Sequence, residues 1–182
     1  MNKHNSLQNE IDTLINDKYD KILMESFPIK VEVLAKSRGL NIMPYAFEDD
    51  ISGVLVIDGD NATIGYNMTQ SRVRRRFTIA HELGHYELHR SKSTLFMDKD
   101  YKAFYRSTFS SETEESQKIE QEANTFAASI LMPEQLLKQQ IGPGLDLSSE
   151  DDIKRLAKLF DVSSTAMYYR LLNLMKNNYL VL

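Results

Sequence analysis

The chain has 182 residues, 42% of them hydrophobic and 26% charged, and a formal net charge of −4. That length suffices for one domain with a real core, and the acidic balance argues against a dedicated nucleic-acid binder, which carries a basic excess. The absence of cysteine excludes a disulfide framework and a thiolate zinc site and fits a cytoplasmic location; the N-terminus lacks the apolar region of a signal peptide and no run is long enough to span a membrane.

Residues 5–25 read as an amphipathic helix with Leu7, Ile11, Leu14, Ile15, Ile22 and Leu23 on its apolar side. Residues 29–38 form a second helix that stops at Gly39. The period then changes. Leu40–Met43, Gly53–Ile57 and Ala62–Asn67 read as three strands, with turn chemistry at Asp58-Gly59-Asp60-Asn61. The expectation is a small antiparallel three-stranded sheet packed with helices, an α+β fold. Its edge is open either to a peptide adding as a strand or to a covering loop.

The basic run Arg72-Val73-Arg74-Arg75-Arg76 leads into the next helix, which Ser71 can cap. Cations in a first turn oppose the helix dipole, so acidic partners are expected for some of them. The helix carries His81-Glu82-Leu83-Gly84-His85, an H-E-x-x-H. Positions i and i+4 lie on one helix face a turn apart, so His81 and His85 can grip one metal ion. Glu82 is turned about 100° from His81, beside such an ion rather than on it. In this metalloprotease signature zinc supplies Lewis acidity and the glutamate takes a proton from water. His89 continues the stripe, but it lies about 12 Å from His81 along the axis, too far for one ion with bonds near 2 Å. A packed or supporting role is expected for it.

Residues 91–114 show no clean period and carry Phe96, Met97, Tyr101, Phe104, Tyr105 and Phe109, the pattern of a lid or binding loop. Residues 115–131 form a strong helix on which Glu120, Ala123, Asn124, Ala127 and Leu131 share a face. A carboxylate among small and apolar residues makes Glu120 the expected third ligand. Asn124, one turn on, can hydrogen-bond a ligand histidine, and Glu122, about 200° from Glu120, is expected to face elsewhere. A short helix follows Met132-Pro133. Capping-box spacing at Ser148-Ser149-Glu150-Asp151-Asp152 starts another, and residues 150–176 read as helix, turn, helix. The second helix offers Ser164, Thr165, Tyr168, Tyr169 and Arg170 outward, with one basic residue among them, too few cations to neutralise phosphates.

These residues together resemble the ImmA/IrrE family of zinc metallopeptidases, of the HExxH, gluzincin-like kind. The resemblance rests on Arg76-Phe77 through His81-Glu82 and His85-Tyr86, on Glu120 through Asn124 and Phe126 to Pro133, and on Phe160 to Ser163 with Arg170-Leu171; it covers roughly residues 28–175. It implies a zincin-like metallopeptidase core and a C-terminal helix-turn-helix-like helix pair within a single domain over residues 1–182. That domain comprises an N-terminal helix at 1–27, a catalytic core at 28–137 and a helical subdomain at 148–182. It also implies one zinc per chain on His81, His85 and Glu120, with Glu82 as general base and acid. The implied partner is a protein substrate, a separate helix-turn-helix repressor of the XRE type whose cleavage relieves repression. Tyr101, Tyr105, Tyr168 and Tyr169 are candidates for stabilising the oxyanion. A rival expectation is a non-catalytic regulator that binds DNA or a repressor through the C-terminal helix pair.

Overall fold

The computed structural model describes residues 3–25, 27–47, 50–99, 113–141 and 145–176. Among these residues there are seven helices and four strands: α1 (Lys3–Glu25), α2 (Val31–Ser37), β1 (Leu40–Tyr45), β2 (Ile51–Asp58), β3 (Asn61–Asn67), α3 (Arg72–His89), β4 (Leu95–Lys99), α4 (Glu114–Leu131), α5 (Glu134–Gln140), α6 (Glu150–Phe160) and α7 (Ser164–Lys176). The fold is mixed α+β. No helix among the described residues is long and apolar enough to cross a membrane. The chain divides into two compact units, Val31–Ala127 and Met1–Lys30 with Ala128–Leu182.

In the unit Val31–Ala127 the sheet corrects the sequence expectation twice. It has four strands in the order β1-β3-β2-β4, and β1 pairs with β3 in parallel, while β2 is antiparallel to both β3 and β4. The fourth strand lies inside the stretch that reads as a loop. Its Leu95 and Met97 are exposed and Phe96 is buried, so apolar residues sit on both faces and alternation of polarity, the signature of a half-buried strand, is missing. The parallel pair was hidden for another reason: periodicity assigns faces but gives no strand direction. The turn reading holds, with Asp58 opposite Asn61 and Gly59 at φ 57° in a two-residue hairpin loop. Pro44 lies on the edge strand β1, where a missing N–H is tolerated.

The register gives the sheet two faces. Ile42, Ile64, Leu55 and Phe96 align across one row on the face covered by α3, which packs on β2, β3 and β4. Met43, Gly65, Val54 and Met97 align on the opposite face, where Met43, Tyr45, Val56, Leu95 and Met97 are exposed. At Gly53 helix α3 comes closest to the sheet: a Cβ there would overlap Thr78 Cγ2 and stand 3.2 Å from Glu82 Oε1. Gly53 therefore lets the Glu82 turn of the helix lie against the strand.

The unit formed by Met1–Lys30 and Ala128–Leu182 is helical. α1 buries Ile11, Ile15 and Tyr19, and Gln8 Nε2 donates to Ser129 Oγ at 2.8 Å. α6 buries Ile153, Leu156, Ala157 and Phe160, the i, i+3, i+4, i+7 stripe of an amphipathic helix, and packs on α7. Arg170 departs from its sequence reading. It is 3% exposed and its Nε donates to the Met132 carbonyl at 3.1 Å, so the basic residue expected to face outward on α7 is inside. Burial pulls its pKa down, opposed by the Asp12 and Glu134 carboxylates. The helix period alone could not separate the core side of α7 from its outer side, because Met167, Tyr168, Tyr169, Leu171 and Leu172 surround the arginine in sequence.

Candidate metal centre

Helix α3 begins where Ser71 Oγ accepts the Arg74 N–H at 3.4 Å. Its first turn holds no acidic residue, and Arg74 finds its partners in the sheet. Arg74 Nη2 donates to Asp98 Oδ2 at 3.0 Å and to Ser52 Oγ at 2.8 Å, and Gln70 Nε2 donates to the same hydroxyl at 2.9 Å. From Thr78 to His85 every residue of the helix is buried, including His81, Glu82 and His85 at 1% exposure or less. Helix α4 lies close against it. A Cβ on Gly84 would meet Phe126 Cβ at 3.1 Å and Ala123 Cα at 3.2 Å, so small residues on both helices set their separation.

That separation brings three donors together. His81 Nε2 and His85 Nε2 are 3.0 Å apart. Glu120 Oε2 stands 3.2 Å from the first and Oε1 3.4 Å from the second. Ligands bonded at about 2.0–2.1 Å to one tetrahedral ion lie about 3.3 Å apart, so each histidine nitrogen stands at ligand spacing from one oxygen of the same carboxylate. His81, His85 and Glu120 could hold a metal ion. Glu82 is placed differently. It is fully buried, its carboxylate oxygens have no side-chain hydrogen-bond partner among the described residues, and only the Asp98 backbone and the charge of His81 favour its ionised form.

Both histidines have their Nδ1 engaged. His81 Nδ1 lies 3.0 Å from Asn124 Oδ1, and an amide oxygen accepts only, so His81 carries a proton on Nδ1 and turns Nε2 toward the donor cluster. His85 Nδ1 lies 3.2 Å from His89 Nδ1, and His89 Nε2 lies 2.9 Å from Glu122 Oε2. Phe96 stacks on the His85 ring at 4.6 Å and 18°. Glu122 thus stays off the donor cluster, as its helical phase suggested, but meets the histidine stripe at His89, one turn beyond His85. The stripe itself was visible in sequence, but its extension to a second carboxylate on α4 was not, because helical phase cannot give the angle at which two helices cross.

The charges of the cluster act on one another. Burial alone would lower His81, yet the Glu120 and Glu82 carboxylates hold it up at about 9. Burial would likewise raise Glu120, but hydrogen bonds from His81 and His85 override it and hold the carboxyl at about 2. Burial lowers His85 and His89, and it pushes Glu82 up to about 8 against the opposing charge of His81. Two imidazoles facing a carboxylate form a donor set at which a dication can take the place of a proton.

Of the other residues singled out in the sequence, Tyr101 and Tyr105 lie outside the described residues, as do Phe104 and Phe109. Tyr168 and Tyr169 are exposed on α7, their rings edge to face at 5.6 Å.

The family model of the IrrE N-terminal-like domain, Peptidase_M78, matches residues 35–172. The chain belongs to this family. The match takes in all three donors, Glu82 and the helices that carry them. A relative, the uncharacterized immunity region protein 2 of Bacillus phage phi105, is 31% identical over 127 residues, 70% of this chain and 73% of that one. Among solved structures, a Mycobacterium tuberculosis transcriptional regulator superposes with a TM-score of 0.55 at 15% identity, over 90% of this chain. The IrrE-like chain spans about half, 49%, of that protein, and at this identity the likeness speaks for the fold alone.

Proposed function

We propose that this IrrE-like protein is a zinc-dependent endopeptidase that cleaves a separate helix-turn-helix repressor of the XRE type and so relieves repression. The reading takes the whole chain as one cytoplasmic domain: helix 1–27, a zincin-like catalytic core at 28–137 and a helix-turn-helix-like pair at 148–182. The observation that carries it is a buried Glu82 carboxylate with no side-chain partner among the described residues, next in sequence to His81 of a three-residue donor cluster that could hold a metal ion. A purely structural metal site has no use for such a base.

His81, His85 and Glu120 would hold one zinc, leaving an open side as catalytic sites do. Bound there, zinc supplies Lewis acidity toward the scissile carbonyl and pulls down the pKa of neighbouring acids. Glu82, buried beside the cluster, would serve as the base: as a carboxylate it takes a proton from water and delivers it to the leaving amine nitrogen. Asn124 holds the His81 ring in its Nε2-coordinating tautomer. The phage immunity-region relative and the family match support a repressor as substrate.

Replacement of Glu82 by Gln should leave zinc content at about one per chain and lower cleavage of the repressor by about two to four orders of magnitude, the usual contribution of a general base. Full activity in that variant would sink the mechanism. The rival, a regulator that binds DNA without cutting, loses support from the burial of Arg170, the one basic residue among the five positions its recognition helix was expected to present. Salt-dependent binding to DNA with no cleavage of any repressor would restore it.

A further inference from the structure

His89 takes no part in the donor cluster, yet it is 1% exposed and both of its ring nitrogens are engaged. A buried, fully partnered histidine beside a ligand histidine invites the question of where its protons lie. Two imidazoles that meet Nδ1 to Nδ1 can share only one proton along that contact. If His85 coordinates through Nε2, its proton sits on Nδ1 and donates to His89 Nδ1. His89 must then accept at Nδ1, and as a neutral ring it carries its own proton on Nε2. That atom lies 2.9 Å from Glu122 Oε2, and a carboxylate accepts it. Every proton from the carboxylate to the donor cluster is fixed by this chain of contacts, with no second arrangement that keeps both rings neutral and His85 Nε2 free.

We propose that His89 and Glu122 are positioning residues that fix the tautomer and ring orientation of His85, a relay of carboxylate, imidazole and ligand imidazole. The inference rests on the metal-site reading above. The two ligand histidines are then supported unequally. His81 leans on a neutral amide, Asn124, whereas His85 reaches a formal negative charge through one intervening ring and is clamped by Phe96 stacked on its face. A carboxylate at the far end raises the donor strength of the coordinating nitrogen more than an amide does, so His85 is the stronger of the two donors. Glu122 is held in turn by Lys118, whose Nζ is 3.6 Å from its other oxygen.

The test reads tautomers and metal affinity rather than turnover. In the zinc-loaded protein with 15N-labelled histidine, long-range proton–nitrogen correlation spectra should show His85 protonated on Nδ1 and His89 neutral and protonated on Nε2. By competition with a chromophoric chelator, Glu122→Ala and His89→Ala should each weaken zinc binding by about tenfold to a hundredfold. Glu122→Gln, whose amide oxygen still accepts, should fall between wild type and Glu122→Ala. The wild-type spectra carry the test even if His89→Ala fails to fold. His89 found protonated on Nδ1, or as an imidazolium, would overturn the relay, as would unchanged affinity in both Glu122 variants. Glu120→Ala separates the two ideas. If it loses zinc while the Glu122 variants bind as wild type does, the site stands and the relay falls; if wild type binds no zinc at all, both fall.

Discussion

Helices α3 and α6 are built from opposite materials. α6 has Ser149 accepting the Asp152 N–H at its start, Glu150, Asp151 and Asp152 in its first turn, Lys158 in its last, and a left-handed Asp161 at its end. It buries Ile153, Leu156, Ala157 and Phe160, an apolar set. Each of these features agrees with helix formation on its own terms. α3 opens with arginines against its dipole and buries Arg76, Thr78, His81, Glu82, His85 and His89. Such burial is unfavourable unless each group is partnered, and Glu82 has no side-chain partner among the described residues. The difference teaches where to look for chemistry: a helix that breaks local rules and persists is held by something the rules do not count, here the proposed ion and the rows of small residues that admit α4.

The contrast can be tested by asking which helix responds to metal. The largest effect expected is on α3. Zinc at about a thousand times its dissociation constant should stabilise the fold by about 4 kcal/mol, so chelation should lower the thermal midpoint by roughly 10 °C in a chain of this size; no change in calorimetry would deny the link between α3 and the ion. Next comes Leu156→Ala in α6, which should cost about 2–5 kcal/mol by opening a cavity. That loss should be the same with and without zinc, and a zinc-dependent loss would blur the distinction between the helices. Gly84→Ala sharpens it. Overpacking against Phe126 and Ala123 costs about 1–3 kcal/mol, offset by about 1 kcal/mol of helix propensity. The net loss of about 1 kcal/mol should come with weaker zinc binding, measured by chelator competition, because α4 carries Glu120. Last, Ser149→Ala should cost α6 about 1 kcal/mol and leave zinc affinity untouched.

The two helices also differ in how legible they were. The caps, stripe and stop of α6 are all local, and its extent could be read from Ser149 to Asp161. The helical character of α3 and the pairing of His81 with His85 could be read as well, since i and i+4 spacing is a property of one helix. That Glu120 and Asn124 share a face of α4 was legible for the same reason, and the structure brings both to the histidines. What required two elements was not legible. The contact of Glu122 with His89 depends on a crossing angle, β4 is a strand only because β2 pairs with it, and the inward turn of Arg170 is set by the Met132 carbonyl it meets.

The open face of the sheet has a practical consequence. Met43, Tyr45, Val56, Leu95 and Met97 are each more than two-fifths exposed in the folded chain, and the register lays them out as one surface rather than scattered points. Hydrophobic dyes such as ANS, whose fluorescence is commonly taken to report a loosened core, have a place to bind on this protein while it is fully native. A dye-based melting curve would therefore start from a bright baseline, and its midpoint would mix release from this surface with capture by the unfolding chain. Circular dichroism or calorimetry reads the transition without that overlap.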